Sequence, residues 1–280
     1  MNIPWDRQLF ETIKKHEPIS RNDLSLGFGY HLDFSIPQIA MAIHAGHHVR
    51  EDLLPCMILS PAERMFEEDT GTDVMIHDHP NAVWGLESRA VYDLNRDEEM
   101  ALPLVPEKFW GTRVYGEQPT PEMNDKSLGQ HRFFYLFMGT VIRHMIDTFG
   151  YCIVYDIHSY NITRQQAKGI KSPPVFNLGT AALDRSKWKG PIDSWLENLR
   201  KISLPGITTT VAENDVFSGQ GELCKRLSQW DPRILVLPTE VSKVYMDEKK
   251  GALYPPMIKA IQNGLIQAMA SHAAPNPHPS

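Results

Sequence analysis

The chain has 280 residues, a length sufficient for one large α/β domain or two small ones. Hydrophobic residues make up 42% of it and charged residues 22%, which is typical of a soluble globular protein. The formal net charge of −6 gives no reason to expect a nucleic acid or an anionic membrane as a partner.

The first half of the chain contains two predicted strands. The segment PQIAMAIHAG is apolar, and we predict a strand that ends at His44 and is broken by Gly46. Residues 82–96, AVWGLESRAVYDLNR, are predicted to form one or two short strands that run into a polar end.

The clearest predicted helix is DKSLGQHRFFYLFMGTVIRHMIDTFG, residues 125–150. Its apolar residues recur at helical spacing. Asp125 or Ser127 can cap its start, and Gly150 supplies a stop at its end.

Further strands are predicted after this helix. Residues 151–157, YCIVYDI, are too few for a helix and rich in β-branched and aromatic types, which indicates a buried strand. Residues 206–214 and 233–241 are also predicted strands, and residues 251–272 end in a terminal helix. Strands that alternate with helices indicate a layered α/β fold with a central, mostly parallel sheet.

Polar residues lie at or just after four predicted strand ends. They are His44, the Asn95–Arg96 pair, His158 and Glu240. Open α/β sheets bind their ligands at that edge. A catalytic zinc site needs three protein ligands, usually imidazoles and carboxylates, and an open position. His44 and His158 can supply two, and the stretch FEEDTGTD offers a third from Glu67, Glu68, Asp69 or Asp73.

The other motifs have ordinary interpretations. Three histidines in polar or terminal segments are expected to be solvated: His16, His272 and His278. His144 is expected to pack on the long helix, and the HDH spacing of His77 and His79 is too weak a signal to assign a metal site. The sequence contains no HExxH, GxSxG or P-loop motif, which argues against a serine hydrolase or a nucleotide enzyme.

The cysteines and the N-terminus indicate the compartment. Cys56, Cys152 and Cys224 are odd in number and have no CxxC spacing, so we expect reduced thiols and no thiolate zinc site. The first twenty residues contain no apolar signal core, and no apolar run approaches the roughly 18 residues that span a bilayer. We therefore expect a cytoplasmic protein.

Six motifs occur in order between about residues 40 and 250: IHAGHHVRED, EEDTGTD, SRAVYDLNR, DIHSYN, ENDVFSGQGEL and TEVSKVYMDE. Together they resemble the N-formylglutamate amidohydrolase family, most closely the branch associated with flavohaemoglobin expression. That family is similar to zinc carboxypeptidases and aspartoacylase. The resemblance implies a single catalytic domain over residues 1–270, with a central mixed, mostly parallel sheet flanked by helices in three layers. Residues 271–280 are expected to be a frayed tail.

The resemblance also implies a metal site that holds one Zn²⁺ per chain. His44 and His158 would be ligands. Position 47 is histidine, so the carboxylate ligand does not follow at the HxxE spacing of the carboxypeptidases. Asp73 matches the family's later acidic position best, and the alternatives behind it are Asp69 and Glu68.

The remaining roles follow from the same resemblance. Arg89, Asn95 and Arg96 correspond to residues that polarise the scissile carbonyl and hold the substrate carboxylate. Tyr160 is expected to contact the substrate. Glu240 matches a late glutamate that serves as general acid and base. Asp156 can orient His158 or simply end the strand.

The implied function is zinc-dependent hydrolysis of a small N-acyl, N-formyl-like amino acid or a related carboxylate-bearing amide. One alternative is a zinc carboxypeptidase that acts on peptides, which needs an open cleft. The other is a non-catalytic ligand-sensing or regulatory domain on the same fold.

Overall fold

The computed structural model describes residues 7–272. Its strands are β1 (Ile19–Asp23), β2 (Phe28–Leu32), β3 (Gln38–Ala42), β4 (Asn81–Gly85), β5 (Cys152–Tyr160), β6 (Phe176–Leu178), β7 (Val211–Glu213), β8 (Ile234–Ser242), β9 (Met246–Asp247) and β10 (Ala252–Leu253). Its helices are α1 (Arg7–Lys14), α2 (Pro61–Glu67), α3 (Thr72–Ile76), α4 (Pro121–Phe149), α5 (Ile162–Ala167), α6 (Lys189–Arg200), α7 (Glu222–Trp230) and α8 (Pro255–Ala270).

Eight strands form one sheet in the order β1-β2-β4-β3-β5-β8-β6-β7. The four central strands, β4, β3, β5 and β8, are parallel to one another. The β1–β2, β2–β4 and β8–β6 pairs are antiparallel, and β6–β7 is parallel. The prediction of a mixed, mostly parallel sheet is confirmed.

Helices cover both faces of this sheet. Ile39 and Met41 of β3 pack into one hydrophobic core, which also contains the buried face of α4. Ala40 and Ala42, the alternate residues, pack into a second core with α6 and α8. Because successive side chains of a strand point to opposite faces, each central strand contributes to both cores. The predicted three-layer arrangement is confirmed.

The long helix begins earlier than predicted. The Thr120 side chain accepts a hydrogen bond from the Met123 amide, and Pro121 occupies the first turn. Proline is favoured at a helix start because its missing N–H has no partner there anyway. Asp125 and Ser127, the predicted caps, therefore lie inside α4. Gly150 ends the helix as predicted, with a φ of 85° in the left-handed region.

Several predicted strands have different lengths in the structure: β3 ends at Ala42 rather than at His44, and in the segment 82–96 the strand ends at Gly85. β5 continues through Tyr160 because it pairs with β8 along its whole length. The predicted strand over residues 206–214 shrinks to the three residues of β7, at the edge of the sheet. Five strands, β1, β2, β6, β9 and β10, and the helices other than α4 and α8 were not predicted from the sequence.

The two ends of the chain are only partly described. Residues 273–280, most of the predicted frayed tail and the position of His278, lie outside the described residues. His272 is not solvated, contrary to expectation, because its Nε2–H donates to the Pro191 carbonyl (2.7 Å) and its Nδ1 accepts from the Tyr155 hydroxyl (2.7 Å). Within residues 7–272, no helix combines the length and apolar character needed to cross a membrane.

Candidate metal centre

Three adjacent parallel strands bring their polar ends to one edge of the sheet. His44 lies two residues beyond the end of β3, and His158 and Glu240 lie near the ends of β5 and β8. His158 and Glu240 are register partners in the parallel β5–β8 ladder. The sheet therefore places residues that are far apart in sequence at one carboxyl-terminal edge, where α/β proteins bind ligands.

A buried carboxylate completes a group of three potential metal ligands. Asp69 Oδ2 lies 3.4 Å from His44 Nδ1 and 3.1 Å from His158 Nδ1. One ligand atom from each of the three residues lies within 4.8 Å of the others. Within residues 7–272, this is the one group of at least three histidine, cysteine or acidic side chains with such spacing.

Each histidine has a second carboxylate at its other ring nitrogen. His44 Nε2 donates to Asp93 Oδ1 (2.8 Å), and His158 Nε2 lies 2.9 Å from Asp156 Oδ1. Both contacts leave the Nδ1 atoms facing Asp69, and His44 Nδ1 is buried without a hydrogen-bond partner. Histidine ligands of metals commonly carry such outer carboxylates. Two imidazoles, one of which has an unpaired Nδ1 atom, and one carboxylate form a ligand set that fits a zinc ion.

The structure does not bring Asp73, the expected carboxylate ligand, to the two histidines. Asp73 lies half-exposed in the first turn of α3. The Asp69 amide donates to the His44 carbonyl (2.9 Å), which ties Asp69 to the site. Gly71 then turns the chain with a left-handed φ of 85°, and the helix carries Asp73 away. Asp69, ranked behind Asp73 from the sequence, takes this place.

The other acidic residues of this stretch have different partners. Glu67 forms a bidentate ion pair with Arg164. Glu68 Oε2 lies 2.5 Å from His47 Nδ1, and its other oxygen accepts from the Ser88 hydroxyl. His47 therefore contacts Glu68 and is not one of the three grouped side chains.

Charge partners keep Asp69 ionised although it is buried. Burial alone would raise the pKa of Asp69. The hydrogen bond from His158 and the nearby imidazole of His44 outweigh burial and hold this pKa well below its usual value. Burial likewise opposes ionisation of Asp93, but the Arg89 guanidinium and His44 hold the pKa of Asp93 well below its usual value. Both carboxylates are therefore anionic at neutral pH.

The backbone that carries Asp69 is fastened by side chains that follow β8. Lys243 Nζ donates to the carbonyls of Phe66 (3.1 Å) and Glu68 (2.9 Å), and the Tyr245 hydroxyl donates to Thr70 (3.0 Å). No sequence pattern indicates these contacts, because they join segments about 175 residues apart.

Glu240 has the environment of a proton-transfer group. Its Oε2 atom is buried and has no hydrogen-bond partner. Burial raises the pKa of Glu240, the charge of His158 opposes the rise, and nearby Asp69 adds to it. The net result is a pKa of about 8. A cation bound between the histidines would lower this pKa.

The two predicted arginines occupy different depths. Arg89 Nη2 donates to Asp93 Oδ2 (2.7 Å), whereas Arg89 Nε is buried without a partner. The Arg89 guanidinium lies 4.3 Å from the centre of the Trp110 ring. Arg96 is exposed at the edge of the same cavity. The positions suit one arginine close to the reacting centre and one at the entrance.

Asn95 and Tyr160 line the cavity but use their polar atoms within the protein. Asn95 Oδ1 accepts from the Leu223 amide (3.0 Å) and so caps the start of α7. A Cβ atom at Gly221 would come within 2.3 Å of Asn95 Oδ1, so glycine is required for this contact. The Tyr160 hydroxyl donates to the Pro174 carbonyl. Both contacts are structural, which the motif match did not reveal.

The site opens into a cavity of about 320 Å³. Three residues of its walls were not predicted from the sequence: Trp110, Arg164 and Lys243. Phe217, which also lines the cavity, lies in the motif ENDVFSGQGEL. The weakly predicted His77 and His79 lie elsewhere. His77 is exposed, while His79 is buried and accepts from the Asn81 amide (3.2 Å).

A sequence model of the family described as N-formylglutamate amidohydrolase matches residues 36–246. No curated protein sequence matches the chain. Among solved structures, an N-formylglutamate amidohydrolase from Ralstonia eutropha JMP134 is similar, with a TM-score of 0.69 and 20% identity over 88% of this chain and 98% of that one. A gene product from Agrobacterium tumefaciens has a TM-score of 0.61 and 16% identity, over 92% of this chain and 95% of that one.

Proposed function

The chain belongs to the N-formylglutamate amidohydrolase family, and we propose that it hydrolyses the amide bond of a small N-acyl amino acid at a zinc ion. The observation that carries this proposal is the buried group of His44, Asp69 and His158, with Glu240 beside it on the next strand. A metal ligand set and a carboxylate of raised pKa in one cavity are the groups that metal-assisted hydrolysis requires.

Zinc held by His44, Asp69 and His158 would supply a Lewis acid and lower the pKa of a water molecule toward about 7. Asp93 fixes the tautomer of His44 by accepting from Nε2, which leaves Nδ1 unprotonated for this role. Asp156 stands in the corresponding position beside His158. Asp93 therefore prepares His44 before any ion binds, and Asp156 lies close enough to His158 to act on it in the same way.

Glu240 is proposed as the group that moves the proton. Its free, buried Oε2 can accept a proton from water and return it to the leaving nitrogen of the amide. The neighbouring position of His158 on β5 keeps Glu240 beside the metal centre.

The arginines are proposed to orient the substrate. The partnerless Nε of Arg89 can donate to the carbonyl oxygen, where negative charge develops during attack. Arg96, at the entrance, can hold the substrate carboxylate with two parallel hydrogen bonds. The pair would place the amide bond between Glu240 and the metal centre.

The size of the cavity favours a small amide over a peptide. A volume of about 320 Å³ lies at the lower end of the range for small-molecule pockets, roughly 300–1,000 Å³. A carboxypeptidase with the same groups would need room for a chain on the acyl side. The regulatory alternative is disfavoured because the ligands, the arginines and the glutamate are all present.

A substrate screen with zinc-loaded protein tests the proposal. N-formyl and N-acetyl amino acids should be hydrolysed, and blocked dipeptides and tripeptides should be hydrolysed more slowly or not at all. Faster release of C-terminal residues from peptides would favour the carboxypeptidase. Absence of hydrolysis with every amide, despite bound zinc, would favour the regulatory domain.

A further inference from the structure

We propose that Trp110 and Phe217 form an aromatic subsite of the cavity, which selects substrates that carry an aromatic or large apolar group. This inference rests on the proposed function, because it concerns the part of the substrate beyond the scissile amide. Four aromatic side chains are counted among the exposed large hydrophobic residues of the described chain. Two of them, Trp110 (46% exposed) and Phe217 (38%), line the cavity of the metal centre.

Trp110 is held in the cavity by its own loop. Phe109 is almost fully buried and anchors the loop in the core. Trp110 has a φ of 49° and Gly111 a φ of 82°. The left-handed region is unfavourable for a bulky residue, and such strain is concentrated at functional sites. The turn places the indole against the Arg89 guanidinium, at 4.3 Å, beside the proposed reacting centre.

Phe217 is exposed on a loop whose backbone is closely packed. Its carbonyl accepts from Asn177 Nδ2 (2.8 Å), and the next carbonyl, of Ser218, accepts from the Ala181 amide (2.9 Å). A Cβ atom at Gly179 would come within 2.2 Å of the Gly219 nitrogen, so the two loops touch through their backbones. The Phe217 side chain is therefore presented by a fixed segment. Its ring lies against Tyr160, with 5.9 Å between the ring centroids, and 38% of it stays exposed.

Two of the positive groups that line the cavity are engaged within the protein. Arg164 pairs with both oxygens of Glu67, at 2.8 and 2.5 Å. Lys243 donates to the Phe66 and Glu68 carbonyls. Arg96, at the entrance, and Lys168, on the exposed rim, are the cations that remain for acidic groups of a substrate. The aromatic surface is consequently the larger unsatisfied feature, since apolar groups that face water gain most from burial.

Binding measurements test this subsite separately from turnover. Zinc-loaded Glu240→Gln protein, which should bind without cleaving, is titrated calorimetrically with N-formylphenylalanine, N-formylalanine and N-formylglutamate. The Trp110→Ala and Phe217→Ala changes are each added to this background. Trp230→Ala is the matched control, because Trp230 is 38% exposed but lies in a groove along α4 and α7.

The phenylalanine compound should bind about tenfold more tightly than the other two, as expected for an aromatic group that becomes buried against two rings. Trp110→Ala and Phe217→Ala should each reduce that preference to about threefold or less, and Trp230→Ala should retain it. Equal binding of all three compounds, tighter binding of the glutamate compound, or an unchanged preference in both subsite variants would overturn the inference. Hydrolysis of N-formylalanine by the unsubstituted protein tests the proposed function independently.

Discussion

His44 Nε2 lies 2.8 Å from Asp93 Oδ1, and this contact decides which ring nitrogen of His44 is available to a metal. Asp93 also accepts from Arg89, so one buried carboxylate joins the proposed ligand to the proposed carbonyl-polarising arginine. Damage to Asp93 should therefore affect both metal binding and catalysis.

We expect Asp93→Asn to weaken zinc binding by about 10–100-fold, the usual effect of removing an outer partner of a histidine ligand. The amide keeps the shape of the side chain but loses the charge that stabilises the N–H tautomer of His44. Competition with a chromophoric chelator measures the affinity. Asp97→Asn, an exposed position in the same loop, is the control and should match the unsubstituted protein. Equal affinity in the two variants would show that Asp93 does not orient the ligand.

Glu240→Gln should bind zinc normally and lose roughly 10²–10⁴-fold in kcat, the scale of general acid–base catalysis. Glutamine preserves the shape at the end of β8 but cannot carry the proton. Metal content and steady-state rates are measured on the same preparation, with the exposed Glu197→Gln as control. Near-normal turnover by the zinc-loaded variant would make Glu240 structural. Glu248 is a poor candidate for the general base in that case, because its carboxylate accepts hydrogen bonds from the first amides of α5.

Arg96→Lys should reduce kcat/KM for substrates with a free carboxylate, because lysine keeps the charge and loses the bidentate hydrogen bonds. The loss of transition-state stabilisation calculated from kcat/KM should be about 1–3 kcal/mol. A substrate whose carboxylate is amidated should be cleaved poorly by the unsubstituted protein and should show little difference between the two proteins. Arg200→Lys on α6 controls for charge-preserving changes elsewhere. Equal rates on the free and amidated substrates would remove the basis for this clamp.

Glu87 makes stability depend on pH. Burial raises the pKa of Glu87 from 4.5 to about 7, although Arg50 and Gln130 oppose the rise. Between pH 4.5 and about 7, Glu87 is therefore protonated in the folded state and ionised in the unfolded state. The stabilisation is complete below pH 4.5 and is lost as the pH rises through 7.

The shift in the Glu87 pKa corresponds to about 3 kcal/mol, at 1.36 kcal/mol for each pH unit. Relative to Glu87→Gln, the free energy of unfolding of the unsubstituted protein should fall by about this amount between pH 4.5 and 7.5. Urea denaturation across this range measures it. Glu107→Gln, at an exposed position, should leave the pH dependence unchanged. Parallel curves for Glu87→Gln and the unsubstituted protein would refute the assignment.

The sequence was most informative where local pattern and fold agree. The apolar run before His158 and the helical spacing of α4 predicted a strand and a helix correctly. Each pattern matches the burial of its element, because β5 is buried along its whole length and α4 buries one face. The start of α4 was wrong because Thr120 and Pro121 lie in a proline-rich loop that has no helical period. Similarly, β1 and β2 escaped prediction because their residues lack strict alternation.

The site was predictable only in part, for a related reason. Motif order located His44, His158 and Glu240 near strand ends. The choice between Asp69 and Asp73 depends on the turn at Gly71 and on the hydrogen bond from the Asp69 amide to His44, which are tertiary features. Trp110 and Lys243 enter the cavity through loop geometry and long-range contacts that leave no periodic signal.

Elemental analysis of dialysed protein for zinc tests directly whether His44, Asp69 and His158 hold a metal ion. The unsubstituted protein should retain about one zinc ion per chain, as expected for a three-ligand catalytic site. His158→Ala and Asp69→Asn should lose it, and Asp73→Asn, the matched change four residues away, should keep it. A metal-free protein that still hydrolyses the amide, or zinc lost from Asp73→Asn and kept by Asp69→Asn, would contradict the account.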